Sequence, residues 1–276
     1  MMQWIDTHAV PLLALLLLAA AGGFFVLQRG LLAPVATPST PAVARYSTRR
    51  WLVLCLVAAL GLTGLAWSVH AGGTLPTPVD NLPGLALDHR VQRWVQSQGD
   101  AAWLPLVRAF TQLGHPLWMV LLSVAVGAWL LRRRAWLLAG AWVLGTAGVG
   151  LWVRILKLGL GRDRPEVRWA LEQGYSFPSG HSAGTLVCYG LLTWMALVLL
   201  RPAHPRRWMA LAAAVVLGVG ASRVLLGVHY VSDVLAGWLL GLAWLSGVVA
   251  LTHVAWRQLR QRPAAASGAQ ARGEKH

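Results

Sequence analysis

The sequence predicts an all-α protein, a bundle of helices that crosses a membrane several times. Three observations carry that prediction. Of 276 residues, 57% are hydrophobic and only 12% are charged, about half the charged fraction of a soluble domain. The apolar residues gather into runs of roughly 20, the length that crosses the hydrocarbon core of a bilayer. The 24 lysines and arginines, which outnumber nine acidic residues and give a net charge of +15, fall mostly between those runs.

Seven runs stand out in order: Val10–Leu27, Trp51–Val69, Pro116–Leu131, Ala135–Leu156, Ser182–Leu200, Trp208–Leu226 and Val234–Trp256. No Lys or Arg precedes Arg29, and Asp6 stands ahead of the first run. That run therefore lacks the basic leader of a cleaved signal and is expected to be a retained span. A Pro/Ser/Thr-rich stretch, 29–50, links it to the rest, so 1–50 forms an N-terminal span and linker. Residues 51–256 form a six-span core. Between its first two spans, "LDHRVQRWVQSQ" sets Val91, Trp94 and Val95 on one helical face, with Arg90 and Arg93 nearby. An amphipathic helix lying at the interface is expected there. The end, 257–276, reads as a basic disordered tail near anionic lipid heads.

Arginines cluster on alternate connections: at Arg45, Arg49 and Arg50, at Arg132 to Arg134, at Arg201, Arg206 and Arg207, and from Arg257 onward. This is the positive-inside pattern of an inner (plasma) membrane protein. It turns 70–115, 157–181 and 223–233 outward, and it accounts for the basic charge without nucleic acid as a partner. Cys55 and Cys188 both fall inside apolar runs, which favours packing over a disulfide. No C-x-x-C or multi-histidine pattern calls for a metal, and no cofactor is expected.

Ionisable residues at membrane depth are costly and call for a functional explanation. Here they gather at the outward ends of spans. In "KLGLGRDRP", Lys157 ends a span and Arg164-Pro165 follows; alone, this is a lysine snorkelling to the headgroups. In "PSGH", Pro178 and Ser179 look like a helix start. Alone it is a cap, yet a helix N-terminus also offers N–H groups to an anion, with His181 beside it. In "SRVLLGVHYVSD", His229 and Asp233 are four apart and share a face if helical. Alone they are a polar packing pair. Together these segments bring Lys157, Arg164, Arg223, Ser179, two histidines and one aspartate to one membrane face. Fixed cations and a helix N-terminus suit a phosphate, two histidines suit a nucleophile and an acid, and the carboxylate suits an orienting role.

The motifs K-x6-RP (157–165), PSGH (178–181) and SR-x5-H-x3-D (222–233) resemble, without substitution and in order, the three signatures of the type 2 phosphatidic acid phosphatase family. The active site of that family is similar to that of vanadium haloperoxidases. The resemblance covers about 51–256. It implies that His229 attacks phosphorus, Asp233 orients it, His181 protonates the leaving group, and Lys157, Arg164, Ser179, Gly180 and Arg223 hold the phosphate oxygens. It implies a metal-independent membrane lipid phosphatase, with a lipid phosphate and membrane lipids as its partners. Undecaprenyl diphosphate is favoured as substrate, ahead of phosphatidylglycerophosphate and phosphatidic acid. A phosphotransferase using the same site, and a phospholipid-binding protein without turnover, are the alternatives.

Other residues are given lesser roles. His8, His70, His89, His115, His204, His253 and His276 have no partner pattern. Asp163 and Glu166 are read as loop salt bridges ahead of a part in substrate entry, and for Arg162 and Arg168 contact with a second phosphate or a headgroup is the minor reading. Gly145, Gly148, Gly150, Gly237 and Gly241 are expected at close helix contacts.

Overall fold

The computed structural model describes residues 48–74, 83–98, 101–166, 169–170, 172–200 and 202–273, and the elements there are helical. The span Val10–Leu27 and nearly all of the 1–50 unit lie outside the described residues. The helices are α1 (Thr48–Thr74), α2 (Pro83–Ser97), α3 (Leu104–Thr111), α4 (Pro116–Arg132), α5 (Trp136–Leu160), α6 (Gly180–Leu199), α7 (Pro205–Leu225) and α8 (Val231–Gly273). Among the described residues, a 3-10 turn, Gln112–Gly114, joins α3 to α4. Six segments among the described residues are long and apolar enough to cross a membrane, with α3 and α4 together forming one of them. The protein is a multi-pass helical membrane protein.

The most buried spans are α6, α7 and α8, while α1 and the α3–α4 span expose most of their apolar surface. An exposed Leu52, Leu56 or Leu121 is at no disadvantage against lipid tails, which are as apolar as the side chain. The principal core joins Leu186, Val187, Leu191 and Trp194 of α6 to Trp142 and Val149 of α5 and to Leu245, Val248 and Val249 of α8. Because successive spans alternate in direction, the described residues of the 70–115, 157–181 and 223–233 connections share one end of the bundle. The arginine clusters at 49–50, 132–134, 206–207 and 257 share the other.

Local chemistry ends the helices where the site needs them. Gly161 closes α5 at φ 61°, with its N–H on Lys157 O. Gly227 follows α7 at φ 67°. Both adopt the left-handed conformation that an ordinary side chain resists. Ser179 opens α6, its Oγ accepting from Ser182 N.

Three expectations are corrected. The amphipathic helix forms as α2, but its apolar face does not rest on lipid. Val91 and Val95 are buried against Val224, Val231 and Val234, because the α7–α8 turn gives that face a protein surface to cover. Gly150 makes no close contact, since its α-carbon faces away from neighbouring helices. By contrast, a Cβ on Gly145, Gly148, Gly237 or Gly241 would lie within 3.0 Å of a neighbour. Finally, α8 does not stop near 256. It continues to Gly273 through a segment expected to be disordered, one rich in alanine, the best helix former.

Candidate active site

The three motif segments meet at one end of the bundle. Lys157 lies in the last turn of α5, Arg223 in the last turn of α7, His181 in the first turn of α6, and Asp233 in the first turn of α8. His229 sits just before α8 in the turn after Gly227, so it and Asp233 do not share a helical face in the simple sense expected. They meet nevertheless, with His229 Nδ1 3.3 Å from Asp233 Oδ2. Asp233 Oδ2 also accepts from Tyr230 N at 3.0 Å, which holds the carboxylate against the turn. Both side chains are buried, at 2% and 0% exposure.

On the other edge of the His229 ring, Arg164 Nη1 stands 3.3 Å from Nε2. With a carboxylate at Nδ1 and a cation at Nε2, the partners assign the ring proton to Nδ1 and leave the Nε2 lone pair facing the arginine. Burial, and then the Arg164, Arg223 and Lys157 charges, hold the His229 pKa well below the usual histidine range. The imidazole is therefore neutral, which is the form that can act as a nucleophile.

The cations are fixed by oxygen acceptors. Arg164 donates from Nε to Gly174 O at 2.8 Å and from Nη1 to Val228 O at 2.8 Å. Lys157 Nζ donates to Tyr175 O, and at 3.4 Å to Ser176 O. Arg223 donates from Nη1 to Thr111 Oγ1 at 3.0 Å and from Nη2 to Glu172, and its buried Nε has no partner among the described residues. Ser179 and Gly180 form the opening of α6. Ser179 N donates to Asp233 O at 2.9 Å, which ties that opening to α8. His181 is half-buried and lies within electrostatic reach of Arg223, His229, His115 and Arg164. The structure thus gathers every residue expected at the site. Such a cluster can bind a phosphate, present a neutral imidazole to it, and stabilise charge on its oxygens.

Several expectations about flanking residues change. Arg162 reaches no headgroup position: its Nη2 is 2.9 Å from Asp88 and its Nη1 2.6 Å from Asp233. Two buried carboxylates attract it more strongly than solvent does. Arg168 lies outside the described residues. Among the described residues, Arg164 is ion-paired with neither Asp163 nor Glu166, and a carboxylate near it is that of Glu172, at 3.7 Å. Glu172 sits between Arg164 and Arg223, offering that pair a negative charge and two acceptor oxygens in the place a phosphate would take. His115 is a helix cap, its Nδ1 accepting from Leu117 N. Asp88, Thr111 and Glu172 were not singled out by the sequence reading. The one signal for the two acids is scarcity: nine acidic residues face 24 basic ones, so a carboxylate beside this site is expected to find an arginine.

Among the described residues, no three His, Cys, Asp or Glu side chains form a metal-ligand group.

Comparison with known proteins gives a consistent family. Residues 135–257 match the model of the PAP2 superfamily. Phosphatidylglycerophosphatase B of Bacillus subtilis is 34% identical over 146 residues, which are 51% of this chain and 71% of that protein. Lipid A 1-phosphatase of Rhizobium etli is 30% identical over 182 residues, covering 57% of this chain and 74% of that protein. Decaprenylphosphoryl-5-phosphoribose phosphatase of Mycobacterium tuberculosis is 32% identical over 126 residues, 45% of this chain and 65% of that protein. Among solved structures, a transmembrane PAP2-type phosphatidylglycerolphosphate phosphatase from Bacillus subtilis is similar. It has a TM-score of 0.62 and 26% identity, covering 71% of this chain and 94% of that one.

Proposed function

The chain belongs to the PAP2 superfamily and is a lipid phosphatase of that type, and on that premise we propose that it removes a terminal phosphate from a membrane lipid through a phosphohistidine on His229. In this reading Lys157, Arg164, Arg223, Ser179 and Gly180 bind the phosphate oxygens. Arg164 exchanges its contact with His229 Nε2 for one with the substrate. Nε2 attacks phosphorus as the bond to the lipid oxygen breaks, and His181 carries a proton from the bound phosphate to that oxygen. The imidazolium proton on Nδ1 stays on Asp233's side of the ring. A water molecule then attacks the phosphohistidine and loses a proton to His181, which releases inorganic phosphate and restores His229. Three cations supply the charge stabilisation a metal would otherwise give.

The observation that carries the reading is the setting of His229, buried with Asp233 at Nδ1 and Arg164 at Nε2. For the substrate, phosphatidylglycerophosphate leads, because the similar Bacillus subtilis enzyme, matched both in sequence and as a solved structure, is named for it. Undecaprenyl diphosphate, the preference drawn from the resemblance, stands next, then phosphatidic acid. The site faces outward by the arginine asymmetry. A cysteine placed at Gln173 in a variant lacking Cys55 and Cys188 is expected to react with an impermeant reagent in intact cells, and labelling only after lysis would reverse the topology.

The test of function is phosphate release by purified protein from the three lipids, with and without chelator. Turnover unaffected by chelator, and label recovered on His229 after a neutral quench, are the expected results. Label on His181, or no release from any lipid phosphate, would overturn the reading.

A further inference from the structure

Asp233 is bonded on both oxygens. Oδ2 serves His229 and Tyr230 N, while Oδ1 is 2.6 Å from Arg162 Nη1. The side chain is fully buried, and a buried carboxylate without a counter-charge takes up a proton. A protonated Asp233 would donate to His229 rather than accept from it. Lys157, Arg164 and Arg223 are turned toward backbone carbonyls, Thr111 and Glu172. The cation in contact with Asp233 is Arg162.

Arg162 is itself held on three sides. Its Nη1 also bonds Ser232 Oγ at 2.7 Å, its Nη2 bonds Asp88 Oδ2 at 2.9 Å, and its guanidinium lies 4.2 Å over the Tyr230 ring. Asp88 accepts from Ser232 N at 2.9 Å through Oδ1, and from Ser232 Oγ through Oδ2. It therefore caps the first turn of α8 from a different helix. Burial raises the Asp88 pKa while Arg162 and Ser232 act to lower it; Arg162's rises because Asp233 and Asp88 outweigh its own desolvation. A second buried carboxylate on one arginine is costly unless it has a task. Bonding the second nitrogen fixes the plane of the fork, and with it the first nitrogen on Asp233.

We propose that Arg162 and Asp88 are positioning residues for the His229–Asp233 pair: Arg162 keeps Asp233 ionised and aimed at His229 Nδ1, and Asp88 fixes Arg162 in that pose. The proposal rests on the functional reading of His229 given above. Asp88 lies outside the matched segment 135–257, so this support comes from a helix that none of the three motifs includes.

The test is made on full-length protein in detergent, as Arg162→Gln and Asp88→Asn. The readout specific to positioning is the His229 ring, followed by 15N NMR of histidine-labelled protein. Wild type should carry its proton on Nδ1. Arg162→Gln should move it wholly or partly to Nε2, because an uncharged Asp233 then donates to Nδ1. In parallel, kcat per folded protein should fall about 10–100-fold in Arg162→Gln and about 3–10-fold in Asp88→Asn, with KM changed less than about twofold. A wild-type tautomer in Arg162→Gln would overturn the proposal whatever the turnover. If that variant does not fold, Asp88→Asn decides: a wild-type tautomer and kcat there would overturn it equally. Wild-type protein that hydrolyses no lipid phosphate would count against the functional reading while leaving the tautomer comparison to judge this one.

Discussion

Gly237 lies where α8 passes closest to the opening of α6, and Gly237→Ala tests how tightly that approach fixes the site. A Cβ there would lie 2.6 Å from Ser179 O, 2.9 Å from Ser182 Cβ and 3.3 Å from Ala183 N. Two of these are backbone atoms that no rotamer change can remove. Restoring ordinary contact requires α8 to retreat by about 0.8 Å, since carbon contacts are comfortable only beyond about 3.4 Å. The retreat strains the 2.9 Å bond from Ser179 N to Asp233 O and separates Asp233 of α8, with His229 in the turn just before it, from His181 on α6. Overpacking of this kind costs about 1–3 kcal/mol of stability, and misplacement by about 1 Å can cost on the order of 100-fold in rate. Phosphate release from whichever lipid phosphate the wild-type protein hydrolyses should therefore fall by about 10–100-fold in kcat, with a lower Tm. Gly150→Ala is the control, because a Cβ there meets nothing within 4 Å. A Gly237→Ala protein with wild-type kcat and Tm would refute the claim that this backbone approach sets the catalytic geometry.

Asp233→Asn should keep the fold but lose about 10²–10⁴ in kcat, since an amide cannot stabilise the imidazolium; stopped assays with a phosphohistidine trap would check it, and near-normal turnover would remove Asp233 from the mechanism. Glu172→Gln should lower KM for lipid phosphates by about tenfold, equivalent to about 1.4 kcal/mol, because the carboxylate no longer competes for Arg164 and Arg223; titration of initial rates is the measurement, and an unchanged or higher KM would show that Glu172 does not compete. His229 should stay neutral as pH falls through 6.5, where the unfolded chain takes up a proton. Its contribution to stability is thus retained above pH 6.5 and declines below it toward the depressed folded value; thermal unfolding against pH should show this loss, and His229→Gln should lessen it.

Much of this protein was legible in one dimension. The run lengths and arginine alternation gave the six described spans, because a bilayer imposes its thickness and charge asymmetry on sequence directly. The residues of the three motifs were legible for a similar reason. Each sits beside a helix end, where Gly161, Ser179 and Gly227 give local signals of where the helix stops or starts. Pairing across the fold was not legible. Asp88 reads as one polar residue of an amphipathic helix, and Arg162 as a spare cation beside a motif; nothing local says that they meet across 74 positions. Glu172 stands in the same way between Arg164 and Arg223. These contacts exist because α7 and α8 turn tightly at Gly227 and offer a buried surface that α2 covers, which brings isolated charges into a low-dielectric space where each must find its opposite. The sequence determined by itself which residues are candidates for the chemistry and that they stand beside the ends of spans. The tertiary structure alone decided which charge answers which, because that depends on distance through space and on exclusion of water, and neither is written in the order of the chain.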